Sequence, residues 1–216
     1  MAVEELLLYF LLLPALGYVI GAVWLRRAMR NIAQRELGFL REPGINVRYL
    51  VIAQIFAIPT VFGILLLVQL LGVREGTVKD SVARALGWTF SAAAILTVLS
   101  EAWIFVRWRA SAFRENFART LVLAVIPESV ITFVLVVGIQ IVARLGTGSS
   151  TNAESLTRAA QWMLLGSLTA PLGAFLGNRA STLNEKTFGR ILIMAVLGEP
   201  LAVVCLVLAF LELAKR

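Results

Sequence analysis

Histidine is absent from this chain of 216 residues, and cysteine occurs once, as Cys205 inside an apolar run. A single thiol excludes an internal disulfide framework. Without histidine, and with one cysteine, a structural zinc site or a haem site lacks its usual ligands. The side chain that ordinarily shuttles protons near neutral pH is also missing, so any proton chemistry falls to carboxylates. Charge is scarce: Asp, Glu, Lys and Arg make up 15% of the chain, against about 25% in soluble domains. That is too little to solvate the surface of a soluble fold. The net charge of +7 reads as a topology signal in a membrane protein rather than a nucleic-acid footprint, and no nucleic-acid partner is expected.

What fills the chain instead is apolar. Hydrophobic residues account for 59%, the mean hydropathy is +0.86, and the apolar residues come in runs. Six stand out, at about 5–25, 48–72, 85–106, 120–143, 160–177 and 189–213. Each approaches the length needed to cross a ~30 Å hydrocarbon core at 1.5 Å rise per residue. The fifth is the shortest and is interrupted by Pro171. No run alternates with period two, which argues against a β-barrel. The first run, Leu6 to Leu25, is preceded by Glu4 and Glu5 and followed by Arg26, Arg27 and Arg30. That charge order suits a first membrane span better than a signal peptide. The chain is therefore expected to be an all-α, multi-pass integral membrane protein with six transmembrane helices.

Basic residues concentrate in alternate connections. Arg26, Arg27, Arg30, Arg35, Arg41 and Arg48 lie between runs 1 and 2. Arg107, Arg109, Arg114 and Arg119 lie between runs 3 and 4, and Arg179, Lys186 and Arg190 between runs 5 and 6. These are 13 of the 20 basic residues, and the positive-inside tendency makes their side cytoplasmic, with both termini opposite. The other connections are rich in Gly, Ser and Thr (Gly146–Thr151) or mixed in charge (Arg74, Glu75, Lys79, Asp80).

The even-numbered runs repeat. RYLVIAQIFAIPTVFGILLLVQL from Arg48, RTLVLAVIPESVITFVLVVGIQI from Arg119 and RILIMAVLGEPLAVVCLVLAFLE from Arg190 align without gaps at a period of 71 residues. Ala53, Ala124 and Ala195 coincide, and nine residues after each Arg comes Ala57, Glu128 or Glu199. Three helical hairpins follow from this register: residues 1–73, lacking the acid, 74–145 with Glu128, and 146–216 with Glu199. Helical rise puts each acid about 13 Å past its Arg, near mid-bilayer.

A charged acid at the membrane centre costs about 2.5–3.5 kcal/mol on insertion scales. A carboxyl that is neutral in oil and ionised beside a fixed cation is a proton carrier. The competing reading is a glutamate that hydrogen-bonds a neighbouring helix and merely holds the bundle together. Two acids at one place in a repeat favour transport. Pro127 precedes Glu128, while Gly198 and Pro200 flank Glu199. Proline frees a backbone carbonyl one turn earlier, which offers a partner to the carboxyl or to a cation, or simply kinks the helix.

At FARTLVLAVIPESVITFVLVV and FGRILIMAVLGEPLAVVCLVLAFL the chain resembles the c subunit (proteolipid, subunit K) of rotary ATPases of the vacuolar and archaeal types. The resemblance extends over three hairpins and is strongest in the even-numbered runs. It implies a rotor subunit whose copies close a homo-oligomeric ring in the lipid. That subunit is no enzyme alone but belongs to an ATP-hydrolysing or ATP-synthesising complex and has no cofactor. Glu128 and Glu199 would each bind a transported proton, or else a sodium ion, and release it beside an arginine of the stator a subunit. Central-stalk subunits would meet the cytoplasmic loops, and Ala57 would mark a silent hairpin. Two carriers in three hairpins would lower the ion-to-ATP ratio, which suits pumping.

The pattern departs from the family in places. Glycines at four-residue spacing occur as Gly17 with Gly21 and Gly173 with Gly177, whereas run 3 offers Ser91, Ala92, Ala93 and Ala94. Ser129 and Thr132 are candidate accessory oxygens for Glu128, and Ser167 and Thr169 lie in the partner run of Glu199. Few oxygens surround Glu199, which favours protons. Glu101 is expected at a depth similar to Glu128, as a second ligand or proton partner, or as a salt-bridge partner of Arg107 or Arg109. The loop residues Glu42-Pro43-Gly44, Arg114-Glu115-Asn116 and Asn184-Glu185-Lys186 read as a stalk platform or as solvated turns. Two further functions stay open: a six-span secondary transporter with Glu101, Glu128 and Glu199 as a proton relay, and a non-transporting scaffold.

Overall fold

The computed structural model describes residues 3–32, 47–73, 77–107, 114–146, 152–179 and 183–215. The turn at Glu42-Pro43-Gly44, Trp108, Arg109 and most of the Gly146–Thr151 connection lie outside the described residues. The described part is helical throughout, without a strand. In chain order come α1 (Val3–Leu7), a π-helical turn (Leu8–Leu12), α2 (Leu13–Ile32), α3 (Val47–Leu71), α4 (Thr77–Arg107), α5 (Arg114–Gly146), α6 (Ala153–Ser167), α7 (Thr169–Gly177), α8 (Glu185–Val196) and α9 (Glu199–Ala214).

Five helical stretches are long and apolar enough to cross a membrane: Val3–Arg27, Lys79–Arg107, Ala118–Gly146, Ala153–Gly177 and Glu185–Ala214. The second apolar run also folds as a helix, α3, but its described apolar part, Ile55–Leu71, is shorter. At 1.5 Å per residue those seventeen residues span about 26 Å, a little under the hydrocarbon thickness. Several long apolar helices of this kind make the chain a multi-pass integral membrane protein.

The helices lie in two rows. In one, α2, α4 and the α6–α7 stretch stand side by side with α4 in the middle. In the other, α3, α5 and the α8–α9 stretch do the same around α5. The first row is the more closely packed, and small residues make that possible. A β-carbon on Gly17 would come within 3.1 Å of the Ile95 Cα, and one on Gly87 within 2.7 Å of the Tyr9 Cβ. Ser91, Ala93, Ala94, Ala159 and Ala160 are all buried in this row. Lipid tails are as apolar as these side chains, so close van der Waals contact rather than water exclusion holds such helices together. Two hydrogen bonds reinforce the row: the Thr89 hydroxyl donates to the Ala160 carbonyl at 2.9 Å, and the Ser91 hydroxyl donates to the Tyr9 carbonyl.

Three of the expected spans are not uniform helices. The first opens into the π turn at Leu8–Leu12. There Gly63 of α3 meets the Phe10 carbonyl so closely that a β-carbon would stand 2.6 Å from its oxygen. The fifth breaks at Leu168, between α6 and α7. The Ser167 and Thr169 hydroxyls there donate back to the Leu164 and Gly166 carbonyls, a pattern that bends helices. Pro171, next in α7, has no N–H to continue the ladder. The sixth breaks at Leu197–Gly198, because Pro200 cannot donate one turn back and Gly198 lies in the turn. The two breaks face one another. A β-carbon on Gly198 would meet the Gly173 nitrogen at 2.9 Å, and one on Gly173 the Ala195 carbonyl oxygen at 2.8 Å.

Aromatic side chains collect towards both ends of the close row. Tyr9 and Trp88 pair with centroids 5.2 Å apart, and Trp103 and Phe175 at 6.2 Å. Arg179 lies over the Phe175 ring at 4.7 Å. Aromatic rings with a cation nearby are common towards the ends of membrane-crossing segments.

Candidate functional site

Glu128 sits near the middle of α5, and unlike α8–α9 that helix runs through its proline without a break. The missing N–H of Pro127 withdraws the helical donor from the Leu123 carbonyl. The Pro127 carbonyl receives the Thr97 hydroxyl of α4 at 3.3 Å. That bond ties α4 to α5 directly beside the acid. Glu128 is buried, with 6% of its surface exposed.

Glu101 lies one turn beyond Thr97 on the same face of α4. It is wholly buried, at 0% exposure, and neither carboxyl oxygen has a hydrogen-bond partner among the described residues. Glu128 is within its electrostatic reach, as is Tyr18 of α2. Tyr18 in turn shares a side-chain hydrogen bond with Thr60 of α3. Two buried acids of α4 and α5 thus lie near the half-buried Tyr18–Thr60 pair of α2 and α3. The alternative of a salt bridge to Arg107 is not formed, since the Arg107 Nε donates instead to the Asn178 carbonyl at 3.3 Å. Arg109 lies outside the described residues. Sequence reasoning passed over Tyr18, Thr60 and Thr97. Thr97 had a signal, being four residues before Glu101, but Tyr18 and Thr60 stand far away in the chain and carry none.

Glu199 occupies a different setting. It opens α9, directly after the Leu197–Gly198 break, where unsatisfied N–H groups and the helix dipole favour a negative group. It is partly exposed, and its Oε1 accepts a 3.0 Å hydrogen bond from the Ser129 hydroxyl. Ser129 also donates to the Ile126 carbonyl at 2.9 Å. The sequence grouped Ser129 with Glu128, its chain neighbour. On a helix, however, adjacent residues point about 100° apart, so Ser129 serves the acid of the next repeat.

Thr132 is exposed, and its hydroxyl donates to the main-chain carbonyl of Glu128 at 3.0 Å rather than to the carboxyl. Ala57 is exposed on α3. Asn184 caps α8 in a reciprocal capping box with Thr187, which supplies a local structural reason for that loop residue. Among the described residues no group of three or more His, Cys, Asp or Glu side chains gathers as a metal cage.

Chemically, the arrangement offers two carboxylate places of unequal kind. One holds two buried acids, Glu101 of α4 and Glu128 of α5. The other holds one acid at a helix start, with a hydroxyl donor and access from the surface. Compared with protein-family models, with curated proteins and with solved structures, the chain matches none.

Proposed function

We propose that this chain is the membrane rotor subunit of a rotary V/A-type ATPase, carrying ions on Glu128 and Glu199. In this reading residues 1–73, 74–145 and 146–216 are three repeated hairpins, and the six helices are six spans. Copies close into a ring, a stator a subunit supplies an arginine, and central-stalk subunits dock on the cytoplasmic loops. The chain is not an enzyme alone. The ion is a proton in preference to sodium.

The observation that carries the reading is the two-row packing with an acid in the splayed row. The row of α2, α4 and α6–α7 is tight and built on Gly, Ala and Ser contacts, while α3, α5 and α8–α9 stand further apart. A double row that is tight on one side and open on the other curves, and a curved row of repeats closes on itself when copies are added. Glu128 and Glu199 both belong to the open row; Glu199 is partly exposed there, while Glu128 is buried and would have to be uncovered to meet lipid or a stator helix. Hydrogen bonds also recur between hairpins 2 and 3 near the sequence period: Thr89 to Ala160, Arg107 to Asn178 and Ser129 to Glu199. Apolar side chains along the first hairpin (Leu12, Leu16, Val19, Ile20) and along α9 (Val203, Val204, Val207, Leu211) are exposed, and in the ring they face lipid or the next copy.

Electron-microscopic projection of the purified, detergent-solubilised protein tests this reading. Closed rings of many hairpins are expected. Monomers or dimers at every concentration would overturn it.

The runner-up is a six-span proton-coupled secondary transporter. Two observations favour it. Broken helices facing each other at Leu168 and Leu197–Gly198 resemble the discontinuous helices of transporter sites, and a cleft of about 400 Å³ is lined by Arg158, Gln161, Trp162, Leu165 and Glu212. In that case the projection contains isolated particles, and substitutions in the cleft abolish uptake of a solute.

A further inference from the structure

Hairpin 3 carries a polar cluster that the repeat does not call for. A cleft of about 400 Å³ between α6 and α9 is lined by Arg158, Gln161, Trp162, Leu165 and Glu212. In the 71-residue register the same positions are Leu16, Val19, Ile20, Val23 and Leu70 in hairpin 1. In hairpin 2 they are Gly87, Phe90, Ser91, Ala94 and Ile141, all buried in the bundle. Hairpin 3 alone has a cation, an amide, an indole and a carboxylate there.

The cleft lies where a span meets the headgroups. On α6 its four residues follow the i, i+3, i+4, i+7 spacing of one helix face. Arg158 stands about 8 Å along the helix from Ala153, and Leu165 about 18 Å. Glu212 lies in the last turn of α9. The lining is therefore polar towards the helix ends and apolar further in. The α6 face continues inward as Leu168 and Leu172, both exposed, opposite the exposed Val204 and Leu201 of α9. A ligand that matches this surface is polar at one end and oily at the other.

Charge narrows the polar end. Arg158 and Glu212 are opposite in sign, and so are their partners Glu154 and Lys215. Arg144 of α5, the next cation, donates to the Leu213 carbonyl. A lining that is neutral in sum suits a zwitterion better than an anion. Its donors and its acceptor come from different helices. Arg158 is exposed and bonded to one carboxylate, Glu154. A guanidinium offers five N–H groups in a fork that matches phosphate. The Gln161 amide and the Trp162 indole N–H make no hydrogen bond among the described residues. On the α9 side, the Glu212 Oε1 accepts from the Lys215 Nζ at 2.7 Å, while its Oε2 is buried and lacks a donor among the described residues.

We propose that this cleft holds the headgroup of a zwitterionic phospholipid with a primary amine, of the phosphatidylethanolamine type. The phosphate meets the donors of Arg158, Gln161 and Trp162. The ammonium meets Glu212, and the acyl chains lie along Leu165, Leu168 and Leu172. A primary ammonium brings the N–H groups that a carboxylate accepts, and a quaternary one does not. The proposal goes beyond the ion-carrying reading and does not rest on it.

The test is native mass spectrometry of the full-length protein, purified in detergent, stripped of lipid and then offered phosphatidylethanolamine, phosphatidylcholine and phosphatidylglycerol in equal amounts. Phosphatidylethanolamine is expected to be retained at least about tenfold over either of the others. Glycerophosphoethanolamine, the same head without acyl chains, separates a lipid from a soluble phosphate ester, and at equal concentration it should not displace the lipid. In Glu212→Gln the preference over phosphatidylglycerol should fall to within about twofold, and in Arg158→Gln retention of phosphatidylethanolamine should fall about tenfold. The thermal midpoint of each variant without lipid reports that the fold is intact. Equal retention of the three lipids by the unaltered chain would overturn the proposal, and that measurement needs no variant. So would a preference that survives Glu212→Gln. Full displacement by glycerophosphoethanolamine would also overturn it and point to the solute cleft of a transporter. Rings without the lipid preference would refute the cleft alone, and the preference without rings would refute the rotor alone.

Discussion

At the residue scale, the informative side chains are the polar ones that the apolar helices bury. Ser129 is adjacent to Glu128 in sequence and bonded to Glu199 in space. A hydrogen bond contributes about 0.5–1.5 kcal/mol net, so Ser129→Ala should alter the carbodiimide reactivity of Glu199 by about three- to tenfold. Glu128 should stay within about twofold of its original rate. Equal changes at both acids would mean that the hydroxyl serves no particular carboxyl. Thr132 provides the contrast. Its hydroxyl returns to its own helix backbone, so Thr132→Val should leave labelling of both acids unchanged. A slowed or accelerated Glu128 would show that Thr132 reaches the carboxyl after all. These residues were nameable from the chain, but their partners were not, because a helix turns successive side chains towards different neighbours.

At the scale of the element, each departure from a plain helix has a chemical cause, and the glycines mark where it matters. Gly63 lies against the π turn of the first span, with no room for a β-carbon beside the Phe10 carbonyl. Gly63→Ala should cost about 1–3 kcal/mol through overpacking and lower the thermal midpoint in detergent. Gly189 has nothing within 4 Å of where its β-carbon would stand and lies inside α8. There alanine should stabilise by up to about 1 kcal/mol through helix propensity, raising the midpoint. If both variants shifted the midpoint in the same direction, the packing account of Gly63 would be wrong. The proline positions were readable as kinks, but the outcome at each was not. Pro127 leaves α5 continuous, whereas Pro200, with Gly198 in the turn before it, separates α8 from α9. The difference lies in what packs alongside: α5 has α4 bonded to the Pro127 carbonyl, whereas Gly198 has the Gly173 backbone pressed against it.

At the scale of the whole molecule, the basic connections predict an orientation that can be tested. Glu154 and Glu185 are both exposed, near opposite ends of the α6–α7 and α8–α9 pair. In a Cys205→Ala background, Glu154→Cys and Glu185→Cys should react with a membrane-impermeant maleimide from opposite sides of sealed vesicles. Glu185→Cys should be the cytoplasmic one if the positive-inside tendency of the basic connections holds. Labelling of both from one face would overturn the topology. Cys205 itself is buried against Gly166, so its removal gives a clean background at small volume change.

Composition, apolar runs and the 71-residue register were enough to establish a helical chain for a membrane, with candidate acids at Glu128 and Glu199. Those properties depend on solvation and on short-range periodicity, both of which are local. The hairpin register already suggested Glu101 as company for Glu128. Tertiary structure alone added Tyr18 of α2 and Thr60 of α3, whose separation along the chain carries no trace of their meeting. Likewise the Ser129–Glu199 bond exists because two repeats lie beside each other. A buried polar group is defined by what surrounds it, and in a bundle of apolar helices the surroundings come from elsewhere in the chain.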